Sequence, residues 1–194
     1  MRIRTAFSLI GLWALSLPAL TLQAQAITTD KARDVMDAIL MQSGISATLS
    51  DATLTSDGAA ALTYDDISLG LSGYSTPRTL RMNGVHVTVR DTDQADQVDL
   101  DIKLPERAKM QAEATSDQRD LTMRNAGGYL RWDTVKNAPV TFDGFADFLI
   151  GDEPVTRKHW LMNGLVLQWL PEQARVSWQS AEWTGANREK RGSS

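Results

Sequence analysis

The chain has no cysteine. That absence removes disulfides, thiolate metal sites, a cysteine nucleophile and a lipid-carrying N-terminal cysteine together. Stability must therefore come from burial. Histidine is almost as scarce, with His86 and His159 the only two. No H-x-x-x-H pair is present to seed a zinc site, and no G-x-S-x-G elbow frames a serine for a Ser-His-Asp arrangement. Val85 and Val87 flank His86, which sets that imidazole on the polar side of an alternating strand. Gly127-Gly128 is followed by neither Lys-Ser/Thr nor a helix pattern, so it is no phosphate loop. A basic excess is missing too. Twenty Lys and Arg stand against 24 Asp and Glu, for a net charge of −4. Nucleic-acid binding needs a basic face that releases counterions, and that partner class is excluded.

What is present begins with an address. Arg2 and Arg4 precede an apolar core, Ala6 to Leu22, and Ala24-Gln25-Ala26 supplies the small-x-small residues of a signal-peptidase site. The alternative is an uncleaved inner-membrane anchor, since residues 6–22 approach the length that spans a thin bilayer. Pro18 and the small-x-small site favour cleavage after Ala26. The mature chain then has about 168 residues, enough for one domain with its own core. It keeps 18 Lys and Arg against 24 Asp and Glu, a net charge near −6. An exported, acidic, cysteine-free protein fits a Gram-negative periplasm.

After the leader, Asp30 is the expected N-cap of a helix over 30–43. Ala32, Val35, Met36, Ile39 and Leu40 share one face, and Lys31, Asp34 and Asp37 lie off it. Gly44 is placed to close it in a left-handed cap. The polar face mixes charge signs, which suits a helix on a sheet better than one on a membrane. From Ile45 onward, alternation at period two and turn residues every several positions predict strands.

One phrase recurs among those strands. Leu80-Arg81-Met82-Asn83-Gly84-Val85-His86-Val87-Thr88-Val89 alternates apolar residues, slips by two at a polar pair, then alternates again. Trp160-Leu161-Met162-Asn163-Gly164-Leu165-Val166-Leu167-Gln168-Trp169 repeats it, and Leu62 to Leu71 slips at Asp65-Asp66. Looser copies place the apolar residue before the polar pair at 49, 123, 142 and 178. Such a pattern arises about four times by chance at this apolar content, so seven copies exceed chance modestly. Internal duplication and a plain β-meander both remain open at this point. Asn-Gly is also the strongest signal for a two-residue hairpin turn. Asp65-Asp66 and Ser50-Asp51 fill the same slot poorly as turns, which favours a bulge within one long strand.

Chemistry is thinly represented. Asp91, Asp93, Asp96, Asp99 and Asp101 are dense, but an EF-hand count from Asp91 puts Asp96 at position six and Ile102 at twelve, where Gly and Glu are required. Asp99 and Asp101 instead alternate with Val98, Leu100 and Ile102, as the solvent face of a strand does. No catalytic residue, metal ligand or cofactor is assigned. Paired aspartates of a carbohydrate-active hydrolase form the enzymatic alternative, without any one pair singled out. Aromatics crowd the last third: Trp160, Trp169, Trp178 and Trp183, with Phe142, Phe145 and Phe148. They are the candidate lining of a groove for an acyl chain, the competing reading being ordinary core.

The order of leader, short amphipathic helix and Leu49-Ser50-Asp51-Ala52-Thr53-Leu54-like strands resembles the AsmA-like and YdgA-type proteins of proteobacterial envelopes, over about residues 28–184. The resemblance implies a periplasmic β-repeat protein connected with lipid transport or outer-membrane homeostasis, and it carries over no functional residue. The expected fold is mainly β (α+β). A signal peptide, 1–26, precedes a single domain, 27–184, in which one helix packs on a curved antiparallel meander of about eight to ten strands. A tail, 185–194, has no apolar content and is expected to be disordered. The expected function is non-enzymatic binding of a lipid or an envelope protein, with peripheral membrane association. A purely structural part of an envelope assembly is the remaining alternative.

Overall fold

The computed structural model describes residues 26–71, 77–112, 118–153 and 158–184. One helix, α1 (Thr29–Ser43), precedes twelve strands. These are β1 (Ile45–Leu54), β2 (Ala60–Leu71), β3 (Arg78–Met82), β4 (Val85–Asp91), β5 (Gln97–Lys103) and β6 (Arg107–Ala112). They continue as β7 (Gln118–Arg124), β8 (Gly127–Asp133), β9 (Ala138–Glu153), β10 (Lys158–Leu170), β11 (Gln173–Ser177) and β12 (Ser180–Thr184). The leader and the tail beyond Thr184 lie outside the described residues. Within them, no helix is long and apolar enough to cross a membrane.

The helix starts one turn-position earlier than its acidic residues suggest. Thr28, in extended conformation, is the N-cap, its Oγ1 accepting from the Lys31 backbone N–H at 3.1 Å. Asp30 falls in the first turn, where its charge complements the helix dipole instead of capping it. Gly44 closes the other end at φ 65°, donating to the carbonyls of Leu40 and Met41. Ala32, Val35 and Met36 are buried in one cluster with Leu62, Tyr64, Val87, Val89, Val98, Leu100 and Trp132. Ile39 and Leu40 pack against it.

All strands join one antiparallel sheet. The twelve segments make eight long runs in chain order, because four runs are broken in the middle. β3 and β4 pair with opposite halves of β2 in one continuous register, Ile67 facing Met82 and Tyr64 facing Val85. Asn83-Gly84 is thus no hairpin turn: Thr79–Met82 and Val85–Val89 are two halves of a single run. The same holds for β5–β6, broken at Leu104-Pro105-Glu106, for β7–β8, broken at Asn125-Ala126, and for β11–β12, broken at Trp178-Gln179. These breaks are why twelve segments appear where eight to ten were expected.

The breaks line up across the sheet as a transverse seam. Asp65-Asp66 lies opposite Asn83-Gly84, and Asn163-Gly164 lies beside Trp178-Gln179. At the seam most runs slip by two residues and keep their apolar side on one face, whereas β5–β6 keeps plain alternation through its break, with Leu100, Leu104, Ala108 and Met110 all facing the core side. In β2 the buried positions run 60, 62, 64 and then 67. A half-turn of left-handed backbone makes the slip, at Asp66 (φ 50°), Gly84 (φ 73°), Asn125 (φ 46°) and Gly164 (φ 59°). Asn, Asp and Gly are the residue types that tolerate this conformation. β1 instead bulges at Ser50, whose hydroxyl donates to the Thr63 carbonyl at 3.1 Å. In β9 the slip is at Ala146-Asp147-Phe148-Leu149. The copy of the phrase expected at Phe142 is simple alternation, since Phe142, Gly144 and Ala146 all follow one face.

A second cluster, Ala108, Met110, Leu121, Met123, Ala126 and Ala146, lies on the other side of the seam, with Met82 and Leu104 touching both clusters. The turns are polar and local. Asp133, buried at the end of β8, accepts from the backbone N–H groups of Val135 and Lys136 at 3.1 and 2.7 Å. The Lys136 N–H and ammonium hold its carboxyl below the usual range. Gly58, at φ 80°, turns β1 into β2.

Candidate functional site

Cross-strand pairing allows the core-side face to be read as rows running the width of the sheet. One row is Ala52, Leu62, Val87, Ile102, Gly128, Gly144, Leu167 and Val176. The next is Ala60, Val89, Leu100, Leu130, Phe142, Trp169 and Ala174. From β2 onward the burial of the larger side chains falls along both rows, although Ala52 and Ile102 are half-buried and Gly128 and Gly144, against the Phe142 ring, stay buried. Leu62 and Val87 are 1% and 2% exposed, Leu167 is half-buried, and Val176 is 56% exposed. Ala60, Val89 and Leu100 are fully buried, Leu130, Phe142 and Trp169 half-buried, and Ala174 exposed.

The decline follows the reach of α1. Its residues Lys31, Asp34, Val35 and Ala38 border a hollow of about 240 Å³ against Trp132, Thr134 and Asn137. The Lys31 ammonium meets the Asp91 carboxylate at 2.6 Å. These contacts anchor the helix over the strands up to β8. Phe142, Leu167, Trp169, Val176 and Trp178 belong to neither core cluster. The same apolar face therefore continues past β8, now aromatic and less covered.

The seven aromatic candidates divide among four places. Phe142 and Trp169 are cross-strand partners on the core-side face. The Phe142 ring lies so close over Gly128 and Gly144 that a Cβ at Gly128 would come within 2.7 Å of it. Trp160 sits across the seam, its indole against Gly151, and packs on the second cluster. Trp183 is its register partner on β12. Trp178, 53% exposed, stands in the break between β11 and β12. Phe145 and Phe148 are on the opposite face: Phe145 against Tyr129, ring centroids 5.6 Å apart, and Phe148 beneath the Arg124 guanidinium at 4.7 Å. The structure thus brings Phe142 and Trp169 together on one face and separates the rest. Sequence reasoning did not select Leu167 and Val176, although their alternation with Val166 and Ser177 marks them as core-facing.

The outer face has its own polar hollow, about 330 Å³, lined among others by Arg90, Asp99, Asp101, Tyr129, Arg131 and Asp143. Arg131 engages Asp99 with two hydrogen bonds, 2.7 and 2.8 Å, and that carboxylate raises the guanidinium further above its ordinary range. Asp101 and Asp143 flank Tyr129 from the two neighbouring strands. His86 is exposed on this side, its Nδ1 3.1 Å from the Thr63 hydroxyl. The His159 side chain lies outside the described residues. Among the described residues, no three His, Asp or Glu side chains gather in a way that would hold a metal ion.

No family model, no curated protein and no solved structure matches this chain.

Proposed function

We propose that the protein is an exported, non-enzymatic periplasmic binding protein whose ligand is the acyl chain of a lipid. The ligand lies on the core-side face of β9, β10 and β11, over Phe142, Leu167, Trp169 and Val176. The observation that carries this reading is the fall in burial along the two rows. An apolar face is continuous across the sheet, yet α1 lies over only its first half. Covering a half-exposed Phe, Trp and Leu with an alkyl chain removes apolar area from water at roughly 25 cal/mol per Å², the usual driving force for such sites. The polar outer hollow is a less apt lipid site, because its lining is charged and Asp99 is already committed to Arg131.

The test is to purify the protein from a Gram-negative envelope, extract it with organic solvent and identify what is released. A stoichiometric lipid, displaced by a dansyl-labelled fatty acid, supports the reading. Protein that carries no lipid and leaves the dansyl emission unchanged contradicts it. Turnover of a glycan or ester substrate, lost on Asp101→Asn or Asp143→Asn, would favour the hydrolase instead.

A further inference from the structure

β11 and β12 form one long edge, hydrogen-bonded only to β10 among the described strands. Natural edges are commonly blunted by lysine, proline or bulges. The opposite edge, β1, is blunted in this way, its register shifting twice against β2. From Gln173 to Thr184 there is neither lysine nor proline, and the register against β10 is constant on both sides of the break. Val176 and Trp178 are 56% and 53% exposed on this edge.

Interior strands pair seam to seam. β2 meets β3–β4 with break opposite break, and β10 meets β11–β12 likewise. Applying the same alignment to the edge itself leaves one self-pairing, antiparallel, with a two-fold axis between Trp178 and Gln179. In that register Ser177 faces the partner's Ser180, Val176 the partner's Ala181, and Arg175 the partner's Glu182. Residues seven apart on an unbroken strand point to opposite faces. Here the two-residue slip returns them to the same face, since Arg175 sits beside Gln168 and Glu182 beside Leu161, both on the side away from the core. The edge is thus complementary to itself in backbone, apolar contact and charge, as a two-fold interface must be.

We infer that a second copy of this chain occupies the β11–β12 edge, making one continuous sheet across the two-fold axis with Arg175 and Glu182 paired at both ends. This inference stands on strand edges and register, independently of the ligand reading. The ligand face runs onto the same edge, so the dimer joins the apolar rows of the two copies.

The experiment is a charge-reversal cycle read by sedimentation velocity. The unmodified protein is expected to be a dimer. Arg175→Glu and Glu182→Arg each set like charges opposite one another at two places and are expected to weaken association by roughly tenfold or more. The combined variant restores opposite charges and is expected to return to within about threefold of the original constant. Both side chains are exposed, so reversal leaves the core untouched. A protein that stays monomeric to about 100 μM, or a combined variant no tighter than the single ones, overturns the inference. Dansyl fatty-acid titration of the same variants reads the ligand site separately.

Discussion

The backbone N–H of Gly84 donates to Oδ1 of Asp65 at 2.8 Å, across the boundary between β2 and the β3–β4 run. One residue on, the relationship is reversed: the N–H of Asp66 donates to Oδ1 of Asn83 at 2.9 Å. Each strand leaves its ladder at the same level, and each lends a side chain to the other's unpaired donor. An unsatisfied backbone donor here would cost on the order of 1–3 kcal/mol. The exchange lets two strands slip together without a net change of register. A classic bulge, by contrast, would have shifted one strand against its neighbour.

Breaking that exchange is expected to be costly at positions that are not in the core. Asp65→Ala and Asn83→Ala should each destabilise the fold by about 1–2 kcal/mol. At Gly84 no atom lies within 4 Å of where a Cβ would be, so Gly84→Ala meets only backbone strain at φ 73°, about 1–2 kcal/mol. Urea unfolding of the three variants measures this. Losses below a few tenths of a kcal/mol would show that the seam hydrogen bonds do not hold the strands.

Tyr64 offers a test in pH. Its hydroxyl is buried beneath α1 without a hydrogen-bond partner, and burial pushes its pKa up to about 12, Asp37 adding to the effect and Arg33 opposing it. The neutral phenol is the form the fold favours. Its contribution is complete below the unfolded value near 10 and is lost as pH rises toward about 12. Tyr64→Phe is therefore expected to flatten this alkaline limb. It should also match or exceed the original stability at pH 7, because it removes a buried hydroxyl that has no partner. Chemical denaturation at pH 7, 10 and 11 checks both. A variant that loses about 1 kcal/mol or more at pH 7 would mean the hydroxyl has a stabilising partner in solution.

Much of the fold was legible in the residues. The stripe from Ala32 to Leu40 and the cap at Gly44 describe α1, and period-two alternation from Ile45 onward describes strands. The two-residue slip was legible as a phrase, but its meaning was not. Asn83-Gly84 suits a type I′ turn as well as a mid-strand slip, and only the pairing of both halves with β2 decides between them. Thr28 was overlooked as the cap because Asp30 is an equally good cap by type, and the choice depends on where the chain enters the helix. At the candidate site, aromatic content pointed to the last third of the chain. The face of each side chain depends on which side of the seam it lies. That is why Phe145 and Phe148, three residues apart across the slip in β9, share the outer face instead of alternating, and why type alone does not single out Leu167 and Val176 beside the tryptophans.

Face is also what tests the ligand reading most directly. Leu167 and Val166 are adjacent in β10, one half-buried on the core-side face beside Gly144 and Val176, the other 39% exposed on the outer face beside Phe145 and Ser177. The decisive measurement is a dansyl fatty-acid titration of Leu167→Asp and Val166→Asp against the unmodified protein. A carboxylate on the ligand face should weaken binding at least about tenfold, since an unpaired charge would be buried by the chain, while the same change one residue away leaves affinity unchanged. Equal effects at the two positions, or no effect at Leu167, would contradict an acyl-binding role for this face.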